Sequence, residues 1–115
     1  MPAPIVFFDL AGPDAKALSA FYSEVFGWAA GPAGNVSVAV TPPLNGAIRQ
    51  DPAEKVIYIG VPDVTEALEQ VVAHGGQVQT PRFEVKGVVI LGLFLDPAGN
   101  RMGLVEMDGA NAKVP

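Results

Sequence analysis

Apolar and polar positions change period along this chain, and each change marks an element. Ile5-Val6-Phe7-Phe8-Asp9-Leu10 is short, β-branched and aromatic, which predicts a strand. Gly12-Pro13-Asp14 stops it. Asp14 suits an N-cap, and Leu18, Phe21, Tyr22 and Val25 follow at the i, i+3, i+4, i+7 spacing of one helical face, with Gly27 at the expected C′ position. A turn-rich stretch from Trp28 to Gly34 leads into Val36, Val38 and Val40, which alternate with Ser37 and Ala39 as in a half-buried strand. Thr41-Pro42-Pro43 breaks that pattern, Asn45 to Gln50 reads as a weaker strand, and Asp51 to Glu54 as a linker.

The pattern then starts again. Val56 to Val61 is a strand, Pro62-Asp63 repeats Pro13-Asp14 after 49 residues, and Val64, Ala67, Leu68 and Val71 form a second helical face closed by His74-Gly75-Gly76. Gln77 to Phe83, the apolar run Val88 to Leu95, and Arg101 to Met107 read as strands. Asp96-Pro97-Ala98-Gly99-Asn100 is the tight turn of the last hairpin: Pro97 presets φ and Gly99 takes positive φ. The tail from Asp108 to Pro115 is small and polar and is expected to fray. Each half alone is too short to bury its own face, so the repeat implies one domain of two modules.

Composition narrows the function. Half of the 115 residues are hydrophobic, only 17% are charged, the net charge is -5, and there is no cysteine; the mean hydropathy is +0.33. An acidic, charge-poor chain disfavours nucleic acid as a partner, and the lack of cysteine removes thiolate metal sites and cysteine nucleophiles. No apolar run approaches a membrane span and no signal-peptide pattern opens the chain, so a cytoplasmic protein is expected. High apolar content with little charge points to surface buried between subunits, hence a homodimer. No Ser-His-Asp arrangement, phosphate loop or nucleotide fingerprint is present.

Three stretches carry a resemblance: Ala20-Phe21-Tyr22-Ser23-Glu24-Val25-Phe26-Gly27-Trp28, the Val61-Pro62-Asp63-Val64 helix entry with Gly75-Gly76, and Phe94-Leu95-Asp96-Pro97-Ala98-Gly99-Asn100. Together they resemble the vicinal oxygen chelate superfamily, which includes glyoxalase I, fosfomycin and bleomycin resistance proteins and extradiol dioxygenases. The resemblance implies an α+β fold of two βαβββ modules, about residues 4–51 and 54–107, forming an open, cleft-containing mixed β-barrel. It also implies metal ligands on the first and last strand of each module. Those places fall on Phe7, Val56 and Gly103, and the strand from Asn45 to Gln50 offers no His, Asp or Glu. No metal or other cofactor is therefore expected.

Strand parity extends the reading. If Phe7 faces the cleft, so do Asp9 and Ala11, while Phe8 and Leu10 turn toward the helices; Tyr58 and Gly60 go with Val56, and Arg101 and Val105 with Gly103. The candidate ligand-binding set is Phe7, Asp9, Val56, Tyr58, Phe94, Arg101 and Gly103, an apolar pocket with a few polar groups. Gly60, Gly92 and Gly103 either leave room in its floor or mark close backbone approaches. Asp9 and Arg101 either bind, form a structural ion pair across the sheet, or stand as two solvated charges at its rim. His74 belongs to the helix end, and Tyr22 and Trp28 to the core more readily than to a site. The leading expectation is a metal-free, bleomycin-resistance-type binder enclosing an aromatic or amphipathic molecule in a dimer cleft. The alternative is a lyase, isomerase or dioxygenase with an unconventional metal site, or an acid-base catalyst using Asp9 with Tyr58 and Arg101.

Overall fold

A computed structural model describes residues 2–26, 28–38 and 44–115, and only the backbone of residues 21, 22, 25 and 26. The expectations for Gly27, Val40 and the Thr41-Pro42-Pro43 break, and for the side chains of Phe21, Tyr22 and Val25, lie outside the described residues. In chain order the elements are β1 (Ile5–Gly12), α1 (Ala15–Phe26), β2 (Ala29–Ala30), β3 (Asn35–Val38), β4 (Leu44–Gln50), β5 (Glu54–Val61), α2 (Val64–Ala73), β6 (Gln77–Val85), β7 (Val89–Leu95), β8 (Arg101–Asp108) and β9 (Asn111–Ala112). They fall into two compact units: an amino-terminal unit, Phe7–Ile57, and a carboxy-terminal unit, Met1–Val6 with Tyr58–Pro115.

In the amino-terminal unit β1 runs parallel to β4, while β3 is antiparallel to both β4 and β2. Parallel strands need a long crossover, and α1 lies in that connection. It starts where Asp14 accepts a hydrogen bond from the Ala17 N–H at 3.0 Å. Phe8 lies across its registered partner Gly46, where an added Cβ would stand 2.2 Å from the ring, so only glycine fits beneath it. Trp28 meets Phe8 edge-on, ring centroids 5.6 Å apart at 69°, and its carbonyl accepts from the Ser23 hydroxyl at 2.6 Å. These contacts tie the exit of α1 to the strands, a structural role for Trp28.

The carboxy-terminal unit repeats the plan. β5 is parallel to β8, and β7 is antiparallel to both β8 and β6, with α2 in the crossover. Asp63 caps α2 by accepting from Glu66 N–H at 3.0 Å, and Val64, Leu68, Phe94 and Leu104 form the core beneath the helix. His74 stands at the helix end, with Nδ1 2.9 Å from the Gln70 carbonyl. In the hairpin turn, Asp96 accepts from the N–H groups of Ala98 and Asn100 and from the Asn100 side chain, and Gly99 has φ +91°. The Asn100 side chain, with the turn's backbone N–H groups, lowers the Asp96 pKa. Mixed pairing and a helix in each unit put the chain in the expected α+β class.

The tail differs from expectation. Asn111–Ala112 pairs with Met107 and Asp108, and the Lys113 N–H donates to the Glu106 carbonyl at 2.8 Å. Asp108-Gly109, with Gly109 at φ +64°, supplies the reversal, a turn signal masked by the small polar residues around it. Among the described residues no helix is long and apolar enough to cross a membrane.

Candidate functional site

Registered residues on paired strands share a face. In the amino-terminal unit Phe7, Asn45, Ser37 and Ala29 form one row across β1, β4, β3 and β2, and Asp9, Ala47 and Asn35 form the next. The opposite face carries Phe8, Leu10 and Gly12, and a Cβ at Gly12 would touch Leu18 of α1. A groove of about 520 Å³ follows the first row, lined by Phe7, Ala29, Asn35, Ser37, Asn45 and Gly46.

Asp9 is 5% exposed. Its Oδ2 accepts from Arg49 Nε at 2.6 Å, while the other two guanidinium nitrogens donate to Asp51 at 2.5 Å and to Glu54. Burial works against the charge of Arg49, but hydrogen bonds to Glu54, Asp9 and Asp51 outweigh it and raise the pKa. Three carboxylates, Asp9, Asp51 and Glu54, thus share one guanidinium. Asp9 Oδ1 is buried and has no hydrogen-bond partner among the described residues; a buried acceptor left so costs about 1–3 kcal/mol.

The carboxy-terminal unit brings Tyr58 onto Gly103, its registered partner, where an added Cβ would lie 2.3 Å from the ring. The room expected at the glycines is filled: Met107 and Val6 crowd Gly60, Val64 crowds Gly92, and Tyr58 covers Gly103. Arg101 donates Nε to Gln79 at 2.7 Å. Phe94 must be moved out of the pocket set: it registers with Met102, one position off the Gly103 parity, and packs in the core under α2. Phe7, Asp9 and the 1%-exposed Val56 belong to the amino-terminal unit, whereas Tyr58, Arg101 and Gly103 belong to the other.

A second buried acid, Glu106, is held differently. Oε1 accepts from Val64 N–H at 3.1 Å and Arg82 Nε at 3.0 Å; Oε2 accepts from the same guanidinium at 2.9 Å, and Lys113 Nζ stands 3.8 Å away. The Arg82 hydrogen bonds, acting against burial, lower its pKa to about 2. Near it a groove of about 420 Å³ is lined by Leu68, Glu69, Val72, Val78, Pro81 and Arg82.

Sequence reasoning missed Arg49, Asn35 and Ser37. The signal for Arg49 was its parity with Asn45 and Ala47 and the acids two and five residues on. The places that the resemblance gave to metal ligands, Phe7, Val56 and Gly103, carry no donor side chain, and Arg49 stands on the same face as Phe7. Among the described residues no three His, Cys, Asp or Glu side chains are arranged to hold an ion.

Comparison with known proteins agrees with the architecture. A family model described as glyoxalase-like domain matches residues 5–105. CFP32 of Mycobacterium bovis, provisionally designated a glyoxylase, is 31% identical over 111 residues, covering 84% of this chain, as is CFP32 of Mycobacterium tuberculosis. The chain spans 42% of the length of those relatives. A methylmalonyl-CoA epimerase in complex with methylmalonyl-CoA and NH4+ superposes with a TM-score of 0.69 at 14% identity, each chain fully covered. The Streptomyces coelicolor epimerase with 2-nitronate-propionyl-CoA gives 0.70 at 14%, over 98% of this chain and 99% of that one. At such identity the likeness is one of fold. With its family model spanning both strand-helix-strands units, the chain belongs to the glyoxalase-like domain family of the vicinal oxygen chelate superfamily.

Proposed function

We propose that this chain is a metal-free binding protein for an aromatic or amphipathic small molecule, acting in the cytoplasm as a homodimer. One observation carries the proposal. The first-strand place where the superfamily's metal ligand would stand holds Phe7, and Phe7 lines a groove with Asn35, Ser37 and Asn45, the mix of apolar wall and few polar groups that small-molecule sites use. The dimer is supported by apolar surface: Ile57, Val72, Val78 and Val88 are 41 to 60% exposed.

Native mass spectrometry of protein purified without added metal tests the reading. It expects a dimer free of metal, with or without a retained organic mass; one metal per subunit contradicts it. Asp9 Oδ1, buried and without a hydrogen-bond partner among the described residues, favours a second reading, metal-free proton abstraction next to a carbonyl. Under that reading Asp9→Asn abolishes turnover while the protein stays folded, and unchanged turnover removes Asp9 from the chemistry.

A further inference from the structure

We infer that β6 is the seam of a dimer: its open edge pairs antiparallel with the same edge of a second copy of this chain, about a two-fold axis at Phe83. The inference rests on the homodimer part of the reading above and names its interface.

The backbone is the first argument. Among the described residues β6 pairs with β7 alone, and it is exposed along its length save for Thr80. The Val85 carbonyl turns toward β7, accepting from the Val88 N–H at 2.9 Å. In a strand both polar groups of one residue point to the same side, and the side alternates. Phe83 and Val85 therefore serve β7, while Arg82 and Glu84 aim their N–H and C=O groups outward. Such an edge is a template for another strand. Register shifts between Val78 and Phe83, with Pro81 among them, end the regular edge on that side. The run left open, Arg82 to Glu84, centres on Phe83.

Charge is the second argument. Arg82 and Glu84 share a face, 3.6 Å apart. With Phe83 opposite its own copy, Arg82 falls opposite Glu84 of the second copy and Glu84 opposite Arg82, which gives four backbone hydrogen bonds and alternating charges. Centring one residue either way sets Arg82 or Glu84 against itself, so the sequence selects this register. Apolar surface is the third argument. Val78, Phe83, Val85 and Val88, all exposed, lie on β6 or in the turn that follows it. A two-fold pairing uses the edge up and closes at two copies.

The chain has no cysteine, so single cysteines can report the seam. Phe83 and Val85 share a face and are 36% and 38% exposed. This register holds the two copies of residue 83 about 4.5 Å apart, within disulfide reach, and those of residue 85 roughly 14 Å apart. With oxidised glutathione, Phe83→Cys should give a disulfide-linked dimer while Val85→Cys stays unlinked. Glu84→Pro removes a donor that β7 does not use. It should keep the circular dichroism of the fold and raise the dimer dissociation constant in sedimentation roughly tenfold or more. A wild-type chain that sediments as a monomer removes the dimer reading and the inference with it. A dimer in which Phe83→Cys links no faster than Val85→Cys, or which Glu84→Pro leaves as tight, overturns the seam and leaves the dimer reading standing.

Discussion

Asp9 and Glu106 are both carboxylates at no more than 5% exposure, each on a strand in parallel pairing, each bound to an arginine. They differ in completeness. Glu106 has both oxygens partnered by Arg82, with the Val64 N–H at the start of α2 added and Lys113 nearby, so strand, helix and tail are joined through one acid. Asp9 has one oxygen on an arginine shared with two other acids, and one oxygen with no partner among the described residues. A buried charge completed by its own chain holds a fold together. One left half complete beside a groove is suited to receive something from outside.

The largest consequence is for stability. Glu106→Ala leaves Arg82 with Glu84 at 3.6 Å and takes the acceptor from the first N–H of α2, which is expected to cost about 3 kcal/mol. For a chain of this size that lowers Tm by more than roughly 10 °C, whereas Asp9→Ala leaves Arg49 with Asp51 and Glu54 and should cost about half as much. Equal losses in calorimetry would break the contrast.

Acid should separate the two next. Glu106 ionises at about 2 in the fold against an ordinary 4.5. Its folded pKa is depressed, so its contribution is present above pH 4.5 and drains away as pH falls toward 2, up to about 3 kcal/mol. Urea unfolding at stepped pH should show that loss, and Glu106→Gln should flatten it; an unchanged acid limb in the variant would assign the loss elsewhere.

Two glycine variants sharpen the regional contrast. Gly46→Ala and Gly103→Ala each drive a methyl into an aromatic ring, Phe8 or Tyr58, and should cost about 1–3 kcal/mol. Only Gly46→Ala should also weaken binding of the aromatic amide 2-naphthamide, because the methyl, pushing on Phe8 from the opposite face, shifts the Gly46 backbone that lines the amino-terminal groove. Smallest of all is Asp9→Asn, which keeps the Arg49 hydrogen bond and should change unfolding free energy by about 1 kcal/mol or less.

Much of the fold was legible because it is written in local signals. The two Pro-Asp helix entries, the 3.6-period face of α2 and the Asp-Pro-Ala-Gly-Asn turn each act within a few residues, and the structure has all three. The site was legible only in part. Phe7 and Asp9 followed from strand parity, but the partner of Asp9 lies 40 residues away on β4, and that pairing depends on the parallel register of β1 with β4. The same long-range dependence hid the Arg82–Glu106 bond. Phe94 was misplaced because its face is decided by the β7–β8 register, and the polar tail concealed its Asp-Gly turn.

The most direct test of the account is amide chemical-shift mapping with saturating 2-naphthamide. Shifts concentrated at Phe7, Asn35 to Ser37 and Asn45 to Gly46 would place the ligand where the half-complete acid stands. Shifts concentrated instead at Thr65, Glu69, Val72 and Arg82, around the groove beside the completed acid, would contradict it.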